Sequence, residues 1–227
     1  MADDRSTDTP GGSLAAEWDR LAADLGLDPQ AGAALGDELI ARWSEPHRRY
    51  HDRRHLAQVL VALSDLASPA APGPEVRAAA WFHDAIYEGR AGDDEEASAS
   101  LAAQRLVAAG VDGARADRVA ALVRATAGHL DPSRDAPADP DTDLLLDADL
   151  SILAAAPADY DRYVRAVREE HPGIDDAAFR TGRTRAVQAL LAREPLFRTT
   201  AGRTVLEPAA RANLTAELDR LTAGRGG

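Results

Sequence analysis

The residues of this chain that could do chemistry begin with an adjacent pair, His83 and Asp84, which follow the apolar run 78–82. A segment of that composition is predicted to be buried, and burying polar groups without partners costs several kcal/mol. A bound cation offsets that cost because both side chains become its ligands. The alternative is an ordinary core histidine that is hydrogen-bonded to an aspartate. The pair therefore predicts a metal site, provided that the fold supplies further ligands.

Further candidate ligands lie far from this pair in the sequence. His51 and His55 are four residues apart, which predicts that both project from one face of a helix. Simple exposure is the alternative for His51, which lies in an Arg-rich run. Asp149 lies in an apolar stretch where an unpaired carboxylate is costly, whereas Asp147 is interpreted as a solvated turn residue or a helix cap. His129, at a predicted helix end, is expected to line the site or to cap the helix.

The composition limits the chemistry that such a site can use. The 227 residues include no Cys and no Lys, so all 26 basic side chains are Arg. Thiolate metal sites, cysteine nucleophiles and lysine Schiff bases are therefore excluded. A divalent metal must be held by His and carboxylate ligands, which suits Mn, Fe, Co, Zn or Mg. The net charge of −12 argues against a large nucleic acid as partner, but it leaves room for a small phosphorylated ligand.

The elements that must position these residues are predicted to be helices. Apolar residues recur at helical spacing from Ser13 onward, and no alternating strand pattern of useful length occurs. Residues 1–12 are polar and acidic and are predicted to be a disordered lead. We therefore expect an all-α, single-domain bundle of about eight to ten helices over residues 13–223. With no apolar run that could span a membrane and no signal peptide, a soluble cytoplasmic protein is expected, with its oligomeric state left open.

Six short motifs occur in a fixed order along the chain. They are Arg48 with Tyr50, His51 and His55; Trp81-Phe82-His83-Asp84 with Tyr87; Asp93-Asp94-Glu95 with Ser98-Ala99; Thr126 with His129; Leu146-Asp147-Ala148-Asp149-Leu150 with Ile152-Leu153; and Ala210-Arg211 with Asn213-Leu214. In this order they resemble the HD-domain superfamily, and within it an uncharacterised bacterial branch of predicted metal-dependent phosphohydrolases. The resemblance spans roughly Arg48 to Leu221. One departure is Asp94, where the family usually has Asn.

The resemblance implies an HD-type helical domain over residues 13–223 and an activity. The superfamily's metal ligands correspond to His55, His83, Asp84 and Asp149, with His51 as the alternative for the first ligand. The implied reaction is metal-dependent hydrolysis of a small phosphate ester, such as a nucleotide, by phosphomonoesterase or phosphodiesterase chemistry. The substrate itself is left open, as is the choice between one metal ion and two.

Five further residues are assigned roles in that reaction. Glu95 is predicted to orient or deprotonate the attacking water; the alternative is a carboxylate favoured by the dipole at a helix start. His51 and His129 are predicted to donate protons or hydrogen bonds to phosphate oxygens. Arg180 and Arg183 are predicted to bind the phosphate bidentately, although ordinary surface arginines are the alternative.

Two other classes of protein stay open at this point. Some HD-fold proteins are di-iron oxygenases, but that chemistry generally calls for two more histidines between the His-Asp pair and the last Asp. Only His129 lies in that interval. The other alternative is a non-catalytic ligand-binding module that keeps the metal for structure.

Overall fold

The computed structural model describes residues 13–128 and 139–223, and within these ranges the chain forms eleven α-helices and one 3-10 helix, with no strand. The α-helices, numbered α1 to α11 in chain order, are Leu14–Leu25, Pro29–Arg42, Arg53–Ala67, Pro74–Phe82, Asp93–Ala108, Gly113–Thr126, Pro140–Asp149, Pro157–Glu169, Asp176–Leu191, Thr200–Val205 and Glu207–Ala223. The 3-10 helix, Leu150–Ala154, directly follows α7. The all-α prediction is confirmed. The predicted disordered lead, residues 1–12, lies outside the described residues.

The one helix beyond the predicted number is the short α10. Its six residues are too few to show a hydrophobic period. It forms because the Thr199 side chain accepts a hydrogen bond from the backbone N–H of Gly202, at 2.9 Å. Across residues 13–128 and 139–223, no helix combines the length and the apolar character that crossing a membrane requires.

The start of α3 differs from the prediction. The carboxylate of Asp52 accepts hydrogen bonds from the backbone N–H groups of Arg54, at 2.8 Å, and His55, at 3.3 Å. This N-cap makes α3 begin at Arg53, so His51 lies in the turn before the helix. The prediction that His51 and His55 share one helix face is therefore wrong, although both residues still reach the same site.

Helices α1 to α7 enclose the larger of two apolar clusters, here called the N-terminal cluster. Its largest side chains, Trp18, Trp43 and Trp81, are fully buried. The indole N–H of Trp18 donates to the carbonyl of Gly32 at 2.8 Å, and that of Trp43 donates to the carbonyl of Trp81 at 2.9 Å. The Trp43 ring also packs 5.3 Å from the imidazole of His83, centroid to centroid. The end of α4 is thereby held against the core.

The 3-10 helix and α8 to α11 enclose a smaller apolar cluster, here called the C-terminal cluster. It contains an ion pair in which Arg183 donates to both carboxylate oxygens of Glu217, at 2.8 and 3.0 Å. Arg183 also donates to the hydroxyl of Tyr163 at 3.0 Å, and the hydroxyl of Tyr160 donates to Glu217. The side chains of Arg183 and Glu217 are only 10% and 2% exposed. Their hydrogen bonds are therefore satisfied inside the cluster.

Asp147 ties α7 to the segment that precedes α10. Its buried carboxylate accepts hydrogen bonds from the backbone N–H groups of Arg198 and Thr199, both at 2.8 Å, and from the Thr199 hydroxyl at 2.7 Å. Burial raises the pKa of Asp147 above its usual range, and these three donors oppose that rise. The interpretation of Asp147 as a solvated turn residue is wrong, because the carboxylate holds the N-terminus of α10 from a neighbouring helix.

Candidate metal centre

Three elements of the N-terminal cluster bring the four predicted metal ligands together. His55 lies in the first turn of α3, His83 and Asp84 follow α4, and Asp149 ends α7. His55 Nε2 lies 3.2 Å from His83 Nε2 and 3.1 Å from Asp149 Oδ1. His83 Nε2 lies 3.2 Å from Asp84 Oδ2 and 3.5 Å from Asp149 Oδ1. Side chains separated by up to 94 positions in the sequence (55 to 149) thus meet at one point.

These distances fit a shared cation. For metal–ligand bonds of about 2.1 Å, neighbouring ligand atoms lie about 3 to 3.5 Å apart. His55 Nε2 lies 3.9 Å from Asp84 Oδ2. His55, His83 and Asp84 form a group whose ligand atoms all lie within 4.8 Å of one another and which can hold a metal ion. Asp149 is not part of this group, but its Oδ1 lies 3.1 Å from His55 Nε2 and 3.5 Å from His83 Nε2. Two imidazole nitrogens with carboxylate oxygens suit the same divalent metals as the sequence predicts.

A backbone hydrogen bond orients His83 for ligation. Its Nδ1 lies 2.8 Å from the carbonyl oxygen of Ala80, one turn earlier in α4. A carbonyl can only accept, so Nδ1 carries the proton and donates it. In the neutral ring Nε2 then has a free lone pair directed toward Asp84 and Asp149. This arrangement, with one nitrogen held by the backbone and the other facing carboxylates, is typical of a histidine that binds metal.

The charges at the site favour a cation. Burial lowers the pKa of His55, so this ring is neutral and able to act as a ligand. Burial acts in the same direction on His83, but Asp84 and Asp149 outweigh it and raise the pKa of His83 well above its usual range. The pKa of Asp84 lies below its usual range: burial opposes this, and the neighbouring His83 and His51 cause it. The carboxylates at the site therefore favour a nearby positive charge, as a proton or as a metal ion.

Arg48 fixes the two backbone segments that carry the ligands. Its buried guanidinium donates to the carbonyl of His51 at 3.0 Å, to that of Asp84 at 2.8 Å and to that of Ala85 at 3.2 Å. It also forms an ion pair with Glu45, at 3.1 Å. Because a guanidinium presents several donors in a rigid plane, one side chain holds the turn before α3 against the segment after α4.

The segment that follows Asp84 is held from α5. The carboxylate of Asp94 accepts hydrogen bonds from the backbone N–H groups of Glu88, at 2.9 Å, and Arg90, at 2.8 Å. The Ser98 hydroxyl accepts from the N–H of Ile86 at 3.0 Å. Asp94 and Ser98 of the third sequence motif therefore hold the segment that follows the His-Asp pair.

His51 is held by Glu170, the residue that ends α8. Glu170 Oε1 accepts the backbone N–H groups of Arg49, Tyr50 and His51 at 2.8, 2.8 and 2.9 Å, and Oε2 lies 2.7 Å from His51 Nδ1. Burial would raise the pKa of Glu170, but His51 and the backbone donors lower it to about 2. Burial likewise opposes protonation of His51, but the bond with Glu170 outweighs it and raises the pKa of His51. The other ring nitrogen, Nε2, lies 3.9 Å from Asp84 Oδ2.

A cavity of about 220 Å³ lies beside the four ligands. Asp84, Asp149 and His51 line its inner side. Glu95 also lines it, while its carboxylate accepts the backbone N–H of Gly92 at 2.5 Å. The structure therefore brings Glu95 to the site and also places it in the first turn of α5, as its alternative interpretation expected, where it caps the helix.

The two arginines predicted to bind the phosphate do not line this cavity. Arg183 is occupied by Glu217 and Tyr163 in the C-terminal cluster, and Arg180 is exposed on α9. Neither lines the cavity beside the ligands. His129 lies outside the described residues, and its predicted role stays a prediction.

Several residues at the site were not singled out for a role from the sequence. Glu170 and His171 lie more than 80 positions after His83 and belong to no recognised motif. Arg90 and His171 line the cavity and add a cationic side chain and an imidazole near its mouth. Arg48 belongs to the first motif, but its burial could not be predicted because arginines in an Arg-rich run are usually exposed.

No family model matches the chain, and no curated protein matches it at a significant level. The resemblance to HD-domain proteins therefore rests on the order of the motifs and stays a prediction.

Proposed function

We propose that this protein is a metal-dependent hydrolase of a small phosphate ester. The observation that carries the proposal is the meeting of two imidazoles and two carboxylates beside a cavity of about 220 Å³. The Nε2 atoms of His55 and His83 each lie 3.1 to 3.9 Å from a carboxylate oxygen of Asp84 and of Asp149. The four side chains come from three separate stretches of the chain, so local sequence constraints do not explain why they meet. Two carboxylates that are 16% and 15% exposed and face two buried imidazoles suit a cation, and the adjoining space can hold a small molecule.

The metal would be held by the two Nε2 atoms and by one oxygen from each carboxylate. When bound, a divalent ion polarises a phosphoryl oxygen and lowers the pKa of a water ligand toward about 7. The backbone contacts of His83 with Ala80 and of Asp84 with Arg48 supply the outer hydrogen bonds that keep such ligands oriented.

His51 would handle a proton at the reacting end of the cavity. Its Nδ1–H donates to Glu170, which fixes the ring, and its Nε2 faces Asp84 and the cavity. A ring that is held in this way can donate the Nε2 proton to the leaving oxygen of an ester and take a proton back from solvent. Glu170 does not face the cavity and acts as a positioning residue.

The phosphate would be bound by groups at the cavity mouth. Arg90 can offer a guanidinium there, and its Nε lies 3.9 Å from Asp94 Oδ1, at the outer limit of an ion pair. His171 also lines the cavity, and its Cε1 lies 3.7 Å from the position that a Cβ on Gly89 would take. The same proposal includes Glu95 as the residue that orients or deprotonates the attacking water, and His129 as a donor to phosphate oxygens. It also includes a cytoplasmic location for the protein.

The test is phosphate release by the purified full chain loaded with Mn, Co or Mg, over a panel of phosphomonoesters, phosphodiesters and nucleotides. We expect turnover with at least one metal and its loss in Asp149→Asn. The matched control is Asp161→Asn, an exposed aspartate that pairs with Arg220 on the outside of α8. Elemental analysis of each variant reports the bound metal independently of turnover.

Other outcomes would replace the proposal. Bound iron with consumption of O2 and no phosphate release would identify the di-iron oxygenase alternative. Bound metal without turnover of any phosphate ester or consumption of O2 would identify the non-catalytic module. Failure of the wild type to bind any of these metals would remove the metal centre altogether.

A further inference from the structure

A second cavity lies away from the metal centre. It is a groove of about 700 Å³ along the outer side of α3, closed on its other side by the 3-10 helix and α10. It shares no lining residue with the cavity at the metal centre. Its apolar lining includes Ala57, Val61 and Leu66 of α3, Ile152 of the 3-10 helix, and Val205 and Leu206 of α10 and its C-cap.

Helix α3 carries apolar side chains on two sides, although polar residues share the outer side with them. One side, with Leu56, Val59 and Leu63, packs in the N-terminal cluster. The other side carries Val61, which is 37% exposed, and across the groove Val205 is 68% exposed. These are two of the four large apolar side chains that are exposed among residues 13–128 and 139–223. A contiguous apolar surface of this kind indicates a ligand or partner.

The start of α3 gives the groove a cationic end. Arg53 and Arg54 line the groove there. Arg54 pairs with Asp52 at 3.1 Å, whereas the side chain of half-buried Arg53 has no hydrogen bond or ion pair with any of the residues that the structure describes. From Arg53 to Asp65, at the far end, α3 rises about 18 Å. The groove is thus long and mainly apolar, with Gln58, Asp65 and Ser151 also in its lining, and it is positively charged at one end.

The remaining segments of this chain do not suit the groove. Residues 1–12, 129–138 and 224–227 contain only two large apolar side chains, Met1 and Leu130. The first two of these segments are acidic or polar and rich in Pro, Gly and Asp. None of the three contains an apolar run that would match the length of the groove.

We infer that this groove binds an elongated amphipathic anion, an alkyl chain that carries a single carboxylate. The alkyl chain lies along α3 between Val61 and Val205, and the carboxylate lies against the guanidinium of Arg53. The volume falls in the range of small-molecule sites, about 300 to 1,000 Å³. A carboxylate is the group that a guanidinium binds with two parallel hydrogen bonds. The inference does not depend on the metal centre or on its proposed reaction.

The test is calorimetric titration of the purified full chain with dodecanoate, kept below the concentration at which it forms micelles. Val61→Glu places a carboxylate in the apolar groove and is expected to weaken dodecanoate binding by about tenfold or more. The matched control is Val107→Glu, the same change at a residue of α5 that is 53% exposed and does not line the groove. This control is expected to bind as the wild type does.

The headgroup is tested with Arg53→Gln and with dodecanol as the uncharged counterpart. The wild type is expected to prefer dodecanoate over dodecanol by about threefold to tenfold, and Arg53→Gln is expected to remove that preference. Binding of Mn is expected to be unchanged in both groove variants, which separates this site from the metal centre.

Three results would overturn the inference. One is the absence of saturable binding of dodecanoate to the wild type. Another is equal binding by Val61→Glu and Val107→Glu. The third is a wild-type dimer in sedimentation that Val61→Glu converts to a monomer, because the groove would then be covered by a second copy of the chain.

Discussion

Both apolar clusters bury charged side chains, but they balance the charge differently. In the C-terminal cluster, one guanidinium and one carboxylate neutralise each other, and two tyrosines complete their hydrogen bonds. In the N-terminal cluster, Asp84 and Asp149 face two imidazoles, one of which burial keeps neutral. The first arrangement needs nothing further. The second has an excess of negative charge that a proton or a divalent cation must offset.

The contrast shows that buried charge is not by itself a sign of function. Arg183 was predicted to bind substrate because a late Arg can bind a phosphate, yet its partners make it part of the core. Asp149 was predicted as a ligand because a carboxylate in an apolar stretch needs a partner, and its oxygen lies 3.1 Å from His55 Nε2. What separates the two cases is whether the charges nearby add to zero.

We expect the largest effect from a substitution that breaks the ion pair between Arg183 and Glu217. Glu217→Ala leaves the buried Arg183 guanidinium without its carboxylate, and we expect the free energy of unfolding to fall by about 3 to 5 kcal/mol. Denaturant unfolding measures this. The control is Asp219→Ala on the exposed side of α11, which should stay within about 0.5 kcal/mol of the wild type. A similar small loss in both variants would mean that the pair contributes nothing.

The next effect concerns the cation at the other cluster. Mn at about 100 times its dissociation constant should raise the free energy of unfolding of the wild type by about 2.7 kcal/mol, and a chelator should reverse this. His83→Ala should show no such rise, because it lacks one ligand. His47→Ala, an exposed histidine outside the group, should keep it. Equal stabilisation of His83→Ala and the wild type would contradict the assignment.

A smaller effect separates two aspartates on one helix. Asp147→Asn replaces one of the two acceptor oxygens by an NH₂ group, which cannot accept a hydrogen bond from Arg198 or Thr199. We therefore expect the free energy of unfolding to fall by about 1 to 2 kcal/mol. Its Mn affinity should be that of the wild type. Asp149→Asn should do the reverse, with weaker Mn binding and little loss of stability. If both variants lose the same property, the two carboxylates do not have separate roles.

The smallest effect depends on pH. The carboxylate of Glu207 accepts the backbone N–H groups of Leu196 and Phe197 and pairs with Arg211. Burial opposes ionisation, but these contacts lower the pKa of Glu207 below 4.5. Its contribution is therefore present above about pH 4.5 and is lost as the pH falls through the lowered pKa. Glu207→Gln should cost under about 1 kcal/mol near neutral pH, with a shallower loss of stability in acid. An identical acid profile would show that Glu207 does not contribute.

The sequence predicts the helices because apolar spacing is a local property, and it marks the helices from α1 to α9 and α11. Polar residues in apolar runs mark His83 and Asp149 as candidate ligands, whereas the full set of four was implied by the resemblance of the ordered motifs. It also contained the signal that His51 precedes α3, since Asp52 is a residue type that caps helices. The spacing of four between His51 and His55 instead led to the prediction that both lie on one helix face.

The remaining features could not be predicted, because they depend on contacts between distant residues. Glu170 reaches His51 across 119 positions, and Asp147 reaches Thr199 across 52. No local pattern shows that the end of α8 will lie against the turn before α3. The apolar residues on the outer side of α3 could not be recognised from the sequence either. Their spacing does not distinguish them from core residues, and only the structure shows that they line a groove.

The position of Glu170 sets a requirement on the length of chain that the proposed hydrolase would need. All four candidate metal ligands lie before residue 150, but the carboxylate that binds three consecutive backbone amides around His51 comes from the C-cap of α8. A proteolytic fragment that stops after α7 would retain every candidate ligand, while the turn that carries His51 would lose its anchor. Under the proposed function, cleavage or local opening of the last four α-helices would therefore stop proton transfer by His51 before it removed the cation site.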